Sequence, residues 1–155
     1  MHAQPKLGPM HTNLQSLVGK WVGEETMSPC EAMPKGGTAQ ATMNSRSALN
    51  GFNVIGDYEQ KMDGKVTYAG HAVWGVDPKT EELTMHWFDT MGWGAHEFRG
   101  KLENGLMSVL QVNSMGLLRL EYDLREKGTM RSKMEASKDG REWKPVFEGA
   151  YHKQG

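Results

Sequence analysis

The sequence predicts an all-β protein: a single closed antiparallel β-barrel of about nine to ten strands with a short N-terminal helix. From Lys20 onward, apolar and polar residues alternate with a period of two, as in half-buried strands. Turn signals such as NG, DG and ENG recur about every ten residues, and no segment has a sustained helical repeat. Short strands with regular turns are typical of a barrel, whose closure removes unpaired edges.

The composition favours one domain and narrows the classes of partner. At 155 residues we expect a flexible tail over residues 1–11 and one barrel domain over residues 12–155. Eighteen basic and nineteen acidic residues give a net charge of −1, which argues against nucleic acid. No apolar run is long enough for a membrane helix. The single cysteine, Cys30, allows no internal disulfide and indicates a reducing cytoplasm.

The segment TNLQSLVG predicts the helix. Thr12 or Asn13 can cap its start, and Gly19 can end it. Leu14, Leu17 and Val18 would share one side. Because the segment is too short for a core helix, we expect it to act as a plug or lid.

The alternation assigns each strand an inward side. The large residues predicted to point inward include Val54, Tyr58, Val66, Tyr68, Trp74, Met85, Trp87, Phe98, Leu106, Leu110, Val112, Leu118, Leu120, Tyr122, Met130, Met134, Trp143, Phe147 and Tyr151. The same side also carries side-chain hydroxyl groups and one amide, which belong to Tyr58, Gln60, Tyr68, Ser108, Tyr122 and Ser132. A solid core rarely contains so many polar groups, so we predict a lined cavity.

The turn DPKTEE predicts an outward patch. A four-residue loop, 78–81, places Asp77 opposite Glu82 and brings together His71, Val73, His86 and Phe88. Two histidines could begin a zinc site, but the nearest candidates for a further ligand on that side are few, and we predict no metal. These candidates are Thr84, Thr90, Glu97 and Arg99. We expect a loop or a second copy of the chain to cover this patch, as in a homodimer.

The stretch MHWFDTMGWGAHEF predicts an inward pair at the rim. If Trp87 and Phe98 point to the same side of a hairpin that turns at MGWGA, Asp89 is paired with His96. Such a pair could act as general acid and base in an isomerase or hydrolase, or it could simply close the hairpin. Ser108 would be inward but deeper, and no GxSxG elbow is present. One of Glu24 and Glu25 must also point inward, with Arg119 or Lys153 as a conceivable partner.

The start of the predicted barrel resembles a known motif, and longer stretches of the chain resemble a known family. Gly19-Lys20-Trp21 within LVGKWVGEE resembles the GxW opening of lipocalin-type barrels, which implies that Trp21 closes the barrel and that Lys153 stacks on it.

Three longer stretches resemble the bacterial domain-of-unknown-function family 1579, over roughly residues 14–153. They are LNGFNVIGDYEQKMDGKVTYAGHAVWGVDPKTEELTMHWFDTMG, EFRGKLENG and MEASKDGREWKPVFEGAYHK. That family is grouped with lipocalin-like barrels and has no established activity.

A second resemblance concerns haem. Nitrobindin-type barrels share a GxWxG opening, which Trp21 and Gly23 match, and they bind haem through a late histidine. Here the late histidine is His152, on the outward parity.

These observations predict a lipocalin-like protein that binds a small, largely apolar or aromatic ligand inside the barrel. No cofactor is predicted. Predicted ligand-binding residues are Tyr58, Tyr68, Trp74, Met85, Trp87, Phe98, Tyr122 and Met134. His96 with Asp89 would fix a polar end of the ligand. The alternatives are an enzyme using that pair, a haem-binding barrel and a partner-binding module.

Overall fold

The computed structural model describes residues 5–155 and confirms the closed antiparallel barrel. Every strand pairs with the next, and the last pairs with the first, so the barrel has a simple up-and-down order. The ten strands are β1 (Gly19–Met27), β2 (Gly37–Ala48), β3 (Asn53–Met62), β4 (Lys65–Val76), β5 (Leu83–Asp89), β6 (His96–Glu103), β7 (Leu106–Asn113), β8 (Gly116–Asp123), β9 (Thr129–Ser137) and β10 (Lys144–Gln154).

The N-terminal helix begins earlier than the sequence predicts. Helix α1 spans Pro9–Leu14, and a 3-10 turn follows over Gln15–Leu17. Proline suits the first helical position because its fixed φ is already helical, and Gly8 is the cap in place of Thr12 or Asn13. Residues 1–4 of the predicted tail lie outside the described residues. No helix over residues 5–155 is long and apolar enough to cross a membrane.

One end of the barrel is solidly packed, and we call it the packed end. Helix α1 lies near β3, β4 and β6, and Leu14 and Leu17 are buried in the same cluster as the strand residues. This short helix is therefore part of the core, contrary to the prediction. The packed end contains Leu14, Leu17, Trp21, Val54, Trp74, Leu83, Leu102, Met107 and Met130.

Trp21 lies at the packed end, with Lys153 over its ring. Its indole Nε1 donates a hydrogen bond of 3.0 Å to the Leu17 carbonyl. Lys153 Nζ lies 5.7 Å from the centroid of the Trp21 ring. A cation at that distance from an indole is attracted by the negative ring face. The contact joins the first strand to the last.

The predicted register between β4 and β5 agrees with the structure. Asp77 and Glu82 are joined by a backbone hydrogen bond of 2.9 Å across the turn. Val73 pairs with His86, and His71 pairs with Phe88. The outward patch predicted from DPKTEE is therefore present as a surface.

Strand β7 has the opposite parity to the one predicted. Leu106, Ser108, Leu110 and Val112 are exposed on the outside, and Met107 and Val109 are buried. The Asn104-Gly105 turn pairs Glu103 with Leu106 and Leu102 with Met107, so the inward parity of Leu102 fixes that of Met107. The register set by this turn, and not the hydrophobicity of the leucines, therefore determines which side chains of β7 point inward. A shift of one residue in register reverses the direction of every side chain in a strand.

Two other residues also depart from the predicted inward set. A shift of register between Gln60 and Lys61 pairs Lys61 with Val66, which leaves the Val66 side chain exposed. Such a bulge reverses the parity locally. Trp143 precedes β10 and packs on the outward Arg119, whose guanidinium carbon lies 3.9 Å from the ring centroid. The indole therefore covers the outside of the barrel.

Candidate functional site

The other end of the barrel contains a cavity of about 630 Å³. Pockets of roughly 300–1,000 Å³ are typical of small-molecule sites. Seven of the eight predicted ligand-binding residues line it: Tyr58, Tyr68, Met85, Trp87, Phe98, Tyr122 and Met134. Further apolar walls come from Met43, Leu118, Leu120 and Phe147.

Trp74 is the predicted ligand-binding residue that does not line the cavity. It is 1% exposed and packs on Tyr122, with the ring centroids 6.0 Å apart. Among the described residues its indole Nε1 has no hydrogen-bond partner. Trp74 therefore belongs to the packed end and separates that end from the cavity.

Three aromatic side chains form a continuous wall, and we call Tyr58, Tyr68 and Trp87 the aromatic trio. Their ring centroids lie 5.8 to 6.4 Å apart in every pair. Gly70 makes this arrangement possible, because a Cβ at that position would overlap the six-membered ring of the Trp87 indole. A glycine on β4 thus gives the indole on β5 its place in the wall.

Glu25 lies on the same wall and is buried with only 1% of its surface exposed. Tyr58 donates a hydrogen bond to Oε1 of its carboxylate, and Tyr151 donates one to Oε2. Gln60 Nε2 donates a third at 3.0 Å. Gly149 leaves space for this cluster, since a Cβ there would overlap the Tyr151 hydroxyl.

The inward position of Glu25 could be predicted from the sequence, but its partners could not. Glu25 shares the parity of Trp21, which marks the inside of β1. Neither predicted cation reaches it: Arg119 donates to Glu135 at 2.9 Å on the outside, and Lys153 covers Trp21. The partners are tyrosines from β3 and β10. In the closed barrel β10 is a direct neighbour of β1, and β3 lies on the other side of β1, beyond β2.

The tyrosines around Glu25 are held in their protonated form. Burial and the negative charge of Glu25 raise the pKa of Tyr58 and of Tyr151 far above the ordinary value. The same two causes raise the pKa of Tyr122. A neutral phenol donates its proton, so both hydroxyls that face Glu25 act as donors to it.

Asp89 forms a second carboxylate cluster at the rim. Its Oδ2 accepts hydrogen bonds from the Tyr68 hydroxyl at 2.6 Å and from Trp87 Nε1 at 2.9 Å. The Met91 backbone N–H donates to Oδ1 at 3.0 Å. Burial opposes ionisation, but these donors outweigh it and hold the pKa of Asp89 below its usual value.

His96 does not pair with Asp89 in the way that the sequence predicted. The strand partner of His96 is Trp87, and Asp89 pairs instead with Gly70. Within residues 5–155 no hydrogen bond joins Asp89 to His96; the His96 Nδ1 lies 3.2 Å from Gln111 Nε2. The last pair between β5 and β6 is Trp87 with His96, so Phe88 and Asp89 extend past β6 and pair with β4 alone. Both side chains still line the cavity.

The mouth of the cavity is formed by exposed apolar side chains that the sequence did not single out. Trp93 is 73% exposed, and Met115 is 86% exposed. Met91 and Val146 accompany them, together with the polar Asn113 and Ser114. Met91, Trp93, Ser114 and Met115 lie in the segments after β5 and β7, where no alternation exists to assign a side. Val146 lies in β10 at a shift of register between Pro145 and Phe147, so the period of two could not identify it either.

The outward histidines bind carboxylates of neighbouring strands. His71 Nδ1 lies 2.7 Å from Asp57 Oδ1, and His86 Nε2 lies 3.1 Å from Glu97 Oε2. In the part of the chain that the structure describes, no group of three or more potential metal ligands is found. His152, the histidine considered for haem, is exposed and does not line the cavity.

Comparisons with known proteins agree with the barrel. The chain is similar in fold to the crystal structure of Rv2717c from M. tuberculosis, with a TM-score of 0.74 and 11% identity, over 97% of this chain and 100% of that one. At that identity the likeness shows the fold alone. No curated protein matches the chain. A family model described as "Protein of unknown function (DUF1579)" matches residues 6–153, and the chain therefore belongs to this family.

Proposed function

We propose that the protein is a lipocalin-like binding protein that holds a small, largely apolar ligand in the cavity. The observation that carries the proposal is an open cavity of about 630 Å³ with aromatic and methionine walls. Water in such a space makes few hydrogen bonds, so an apolar ligand that displaces it is favoured. Methionine side chains can adapt their shape to different ligands.

The mouth supports the same function. Met91, Trp93, Met115 and Val146 extend the apolar walls of the cavity to the surface. An apolar ligand would therefore stay in contact with apolar side chains as it enters. As part of this proposal we place the protein in the cytoplasm, since its one cysteine, Cys30, is exposed and free.

The test is a titration with the neutral apolar fluorophore N-phenyl-1-naphthylamine. We expect saturable fluorescence enhancement with one site per chain. Leu118→Trp, which places a larger side chain in the cavity wall, should weaken binding, and Leu110→Trp, on the outside of the neighbouring strand, should leave binding unchanged. Thermal unfolding checks that both variants fold. Equal binding by a folded Leu118→Trp variant and the wild type would overturn the proposal.

A homodimer through the outward patch is a separate proposal. Phe88 is 41% exposed between His71 and His86 on the outside of the sheet. An exposed phenylalanine at the centre of a patch is a typical anchor of an interface. Sedimentation of the wild type and of Phe88→Ser over a range of concentrations tests it. A wild type that stays monomeric at high concentration would contradict it.

A further inference from the structure

The cavity lining contains carboxylates but no lysine or arginine. Glu25 and Asp89 both belong to it, and no lysine or arginine among the described residues does. His96 also lines the cavity, and its Nδ1 lies 3.2 Å from the Gln111 amide nitrogen. The acidic side chains of the lining therefore outnumber the basic ones.

Glu25 is unusual because it is buried without a cation. A buried carboxylate is costly unless hydrogen bonds or an opposite charge compensate it. Its three donors, Tyr58, Tyr151 and Gln60, are all neutral groups. They stabilise the carboxylate but do not cancel its charge. The field of Glu25 therefore extends into the cavity that it lines.

The aromatic trio connects the two carboxylates. The Tyr58 hydroxyl binds Glu25, and the Tyr68 hydroxyl and the Trp87 indole nitrogen bind Asp89. The three rings contact one another and line the cavity between these two ends. Tyrosine and tryptophan rings have negative faces that attract cations, most strongly where water is excluded.

We propose that the ligand of this cavity carries a protonated amine or another organic cation, which the aromatic trio holds between Glu25 and Asp89. The apolar remainder of the ligand contacts the methionine and phenylalanine walls. This inference rests on the proposed function and specifies its ligand class. A ligand carboxylate, as in a fatty acid, would meet two carboxylates with no lysine or arginine among the described lining residues to offset them.

Three ligands with the same tail test the head group: 4-phenylbutylamine, 4-phenylbutan-1-ol and 5-phenylpentanoate. Each is titrated calorimetrically at pH 7 and by displacement of N-phenyl-1-naphthylamine. We expect the amine to bind at least about tenfold more tightly than the alcohol, as one charge-assisted contact would give, and the carboxylate to bind most weakly. Equal binding of the three ligands would overturn this inference and leave the proposed function intact. Binding of neither the fluorophore nor any of the three would instead count against the proposed function.

Two substitutions identify the source of the preference. Glu25→Gln keeps the shape and an acceptor, and Asp89→Asn does the same at the rim. Each should lower the preference for the amine over the alcohol by at least about threefold, with alcohol binding unchanged. Glu59→Gln and Asp57→Asn remove exposed outward carboxylates of β3 and are the matched controls. If Glu25→Gln does not fold, Asp89→Asn decides the test alone. A preference that persists in the folded cavity variants, or that falls equally in the controls, would contradict the inference.

Discussion

The two ends of this barrel are made from the same ten strands but differ in what fills them. At the packed end, Leu83, Leu102 and Met107 are at most 1% exposed and belong to the buried cluster. At the other end, the inward residues surround a cavity of about 630 Å³ and include Glu25 and Asp89. The same barrel therefore encloses a filled core at one end and an open space with two carboxylates in its wall at the other. A binding site and a core can thus share one sheet.

The largest expected effect comes from truncating one residue at each end. Leu83→Ala should destabilise the protein by about 3 kcal/mol, because it leaves a void in a closed core. Met134→Ala, whose side chain already borders the cavity, should cost only about 1 kcal/mol. Urea unfolding measures both. Similar losses at the two positions would show that the cavity end is as tightly packed as the other.

A second effect concerns the room that Gly70 makes for Trp87. Gly70→Ala should destabilise the protein by about 1–3 kcal/mol, because the added methyl overlaps the indole. The tryptophan emission should shift as well. Trp87→Leu removes the overlapping ring, so adding Gly70→Ala to that variant should cost much less. A double-mutant cycle measures this coupling, and additive effects would contradict the assigned contact.

The third prediction compares the loss of stability when each of two buried tyrosines loses its hydroxyl group. Tyr151→Phe removes a donor from Glu25 and a 2.9 Å contact with the Ser132 hydroxyl, and it should cost about 1–2 kcal/mol. Tyr122 is equally buried, but its hydroxyl has no hydrogen bond among residues 5–155. Tyr122→Phe should therefore change stability by less than about 0.5 kcal/mol. Thermal unfolding of the two variants compares them, and equal losses would argue against the Glu25 cluster.

The smallest expected effect depends on pH. The pKa of Asp89 is lowered in the folded protein, so its contribution is present above the unfolded value of about 3.9 and is lost as the pH falls below it. Asp89→Asn should be less stable than the wild type by about 1 kcal/mol between about pH 5 and 7, and this gap should narrow below about pH 4. Urea unfolding across this range checks it. A gap that widens on acidification would contradict the assigned sign.

The sequence predicted the barrel and most of the cavity walls for a common physical reason. Where one face of a strand is buried, the period of two specifies which residues point inward, as for Met85, Trp87 and Phe98. The family resemblance added the expectation that Lys153 lies over the Trp21 ring, as it does. Prediction failed where a turn decided the register: β7 took the parity set by Asn104-Gly105, and His96 aligned with Trp87 in place of Asp89.

The partners of buried polar groups were also beyond the sequence pattern. Glu25 and Tyr151 are 126 positions apart and meet because β1 pairs with β10. Charge complementarity suggested Arg119 or Lys153, but long-range closure supplied tyrosine hydroxyls. Polar contacts inside a barrel depend on strands that are distant along the chain, and alternation contains no information about them.

Methionine-methyl NMR tests the central claim most directly, because methionines occupy both ends of the barrel. Met43, Met85 and Met134 line the cavity, and Met107 and Met130 are buried at the packed end. With ¹³C-methyl methionine and resonances assigned by single Met→Leu variants, 4-phenylbutylamine is titrated into the protein. We predict saturable shifts at Met85 and Met134 and unchanged signals at Met107 and Met130. Unchanged cavity methionines at saturating ligand, or shifts confined to the packed end, would contradict the account.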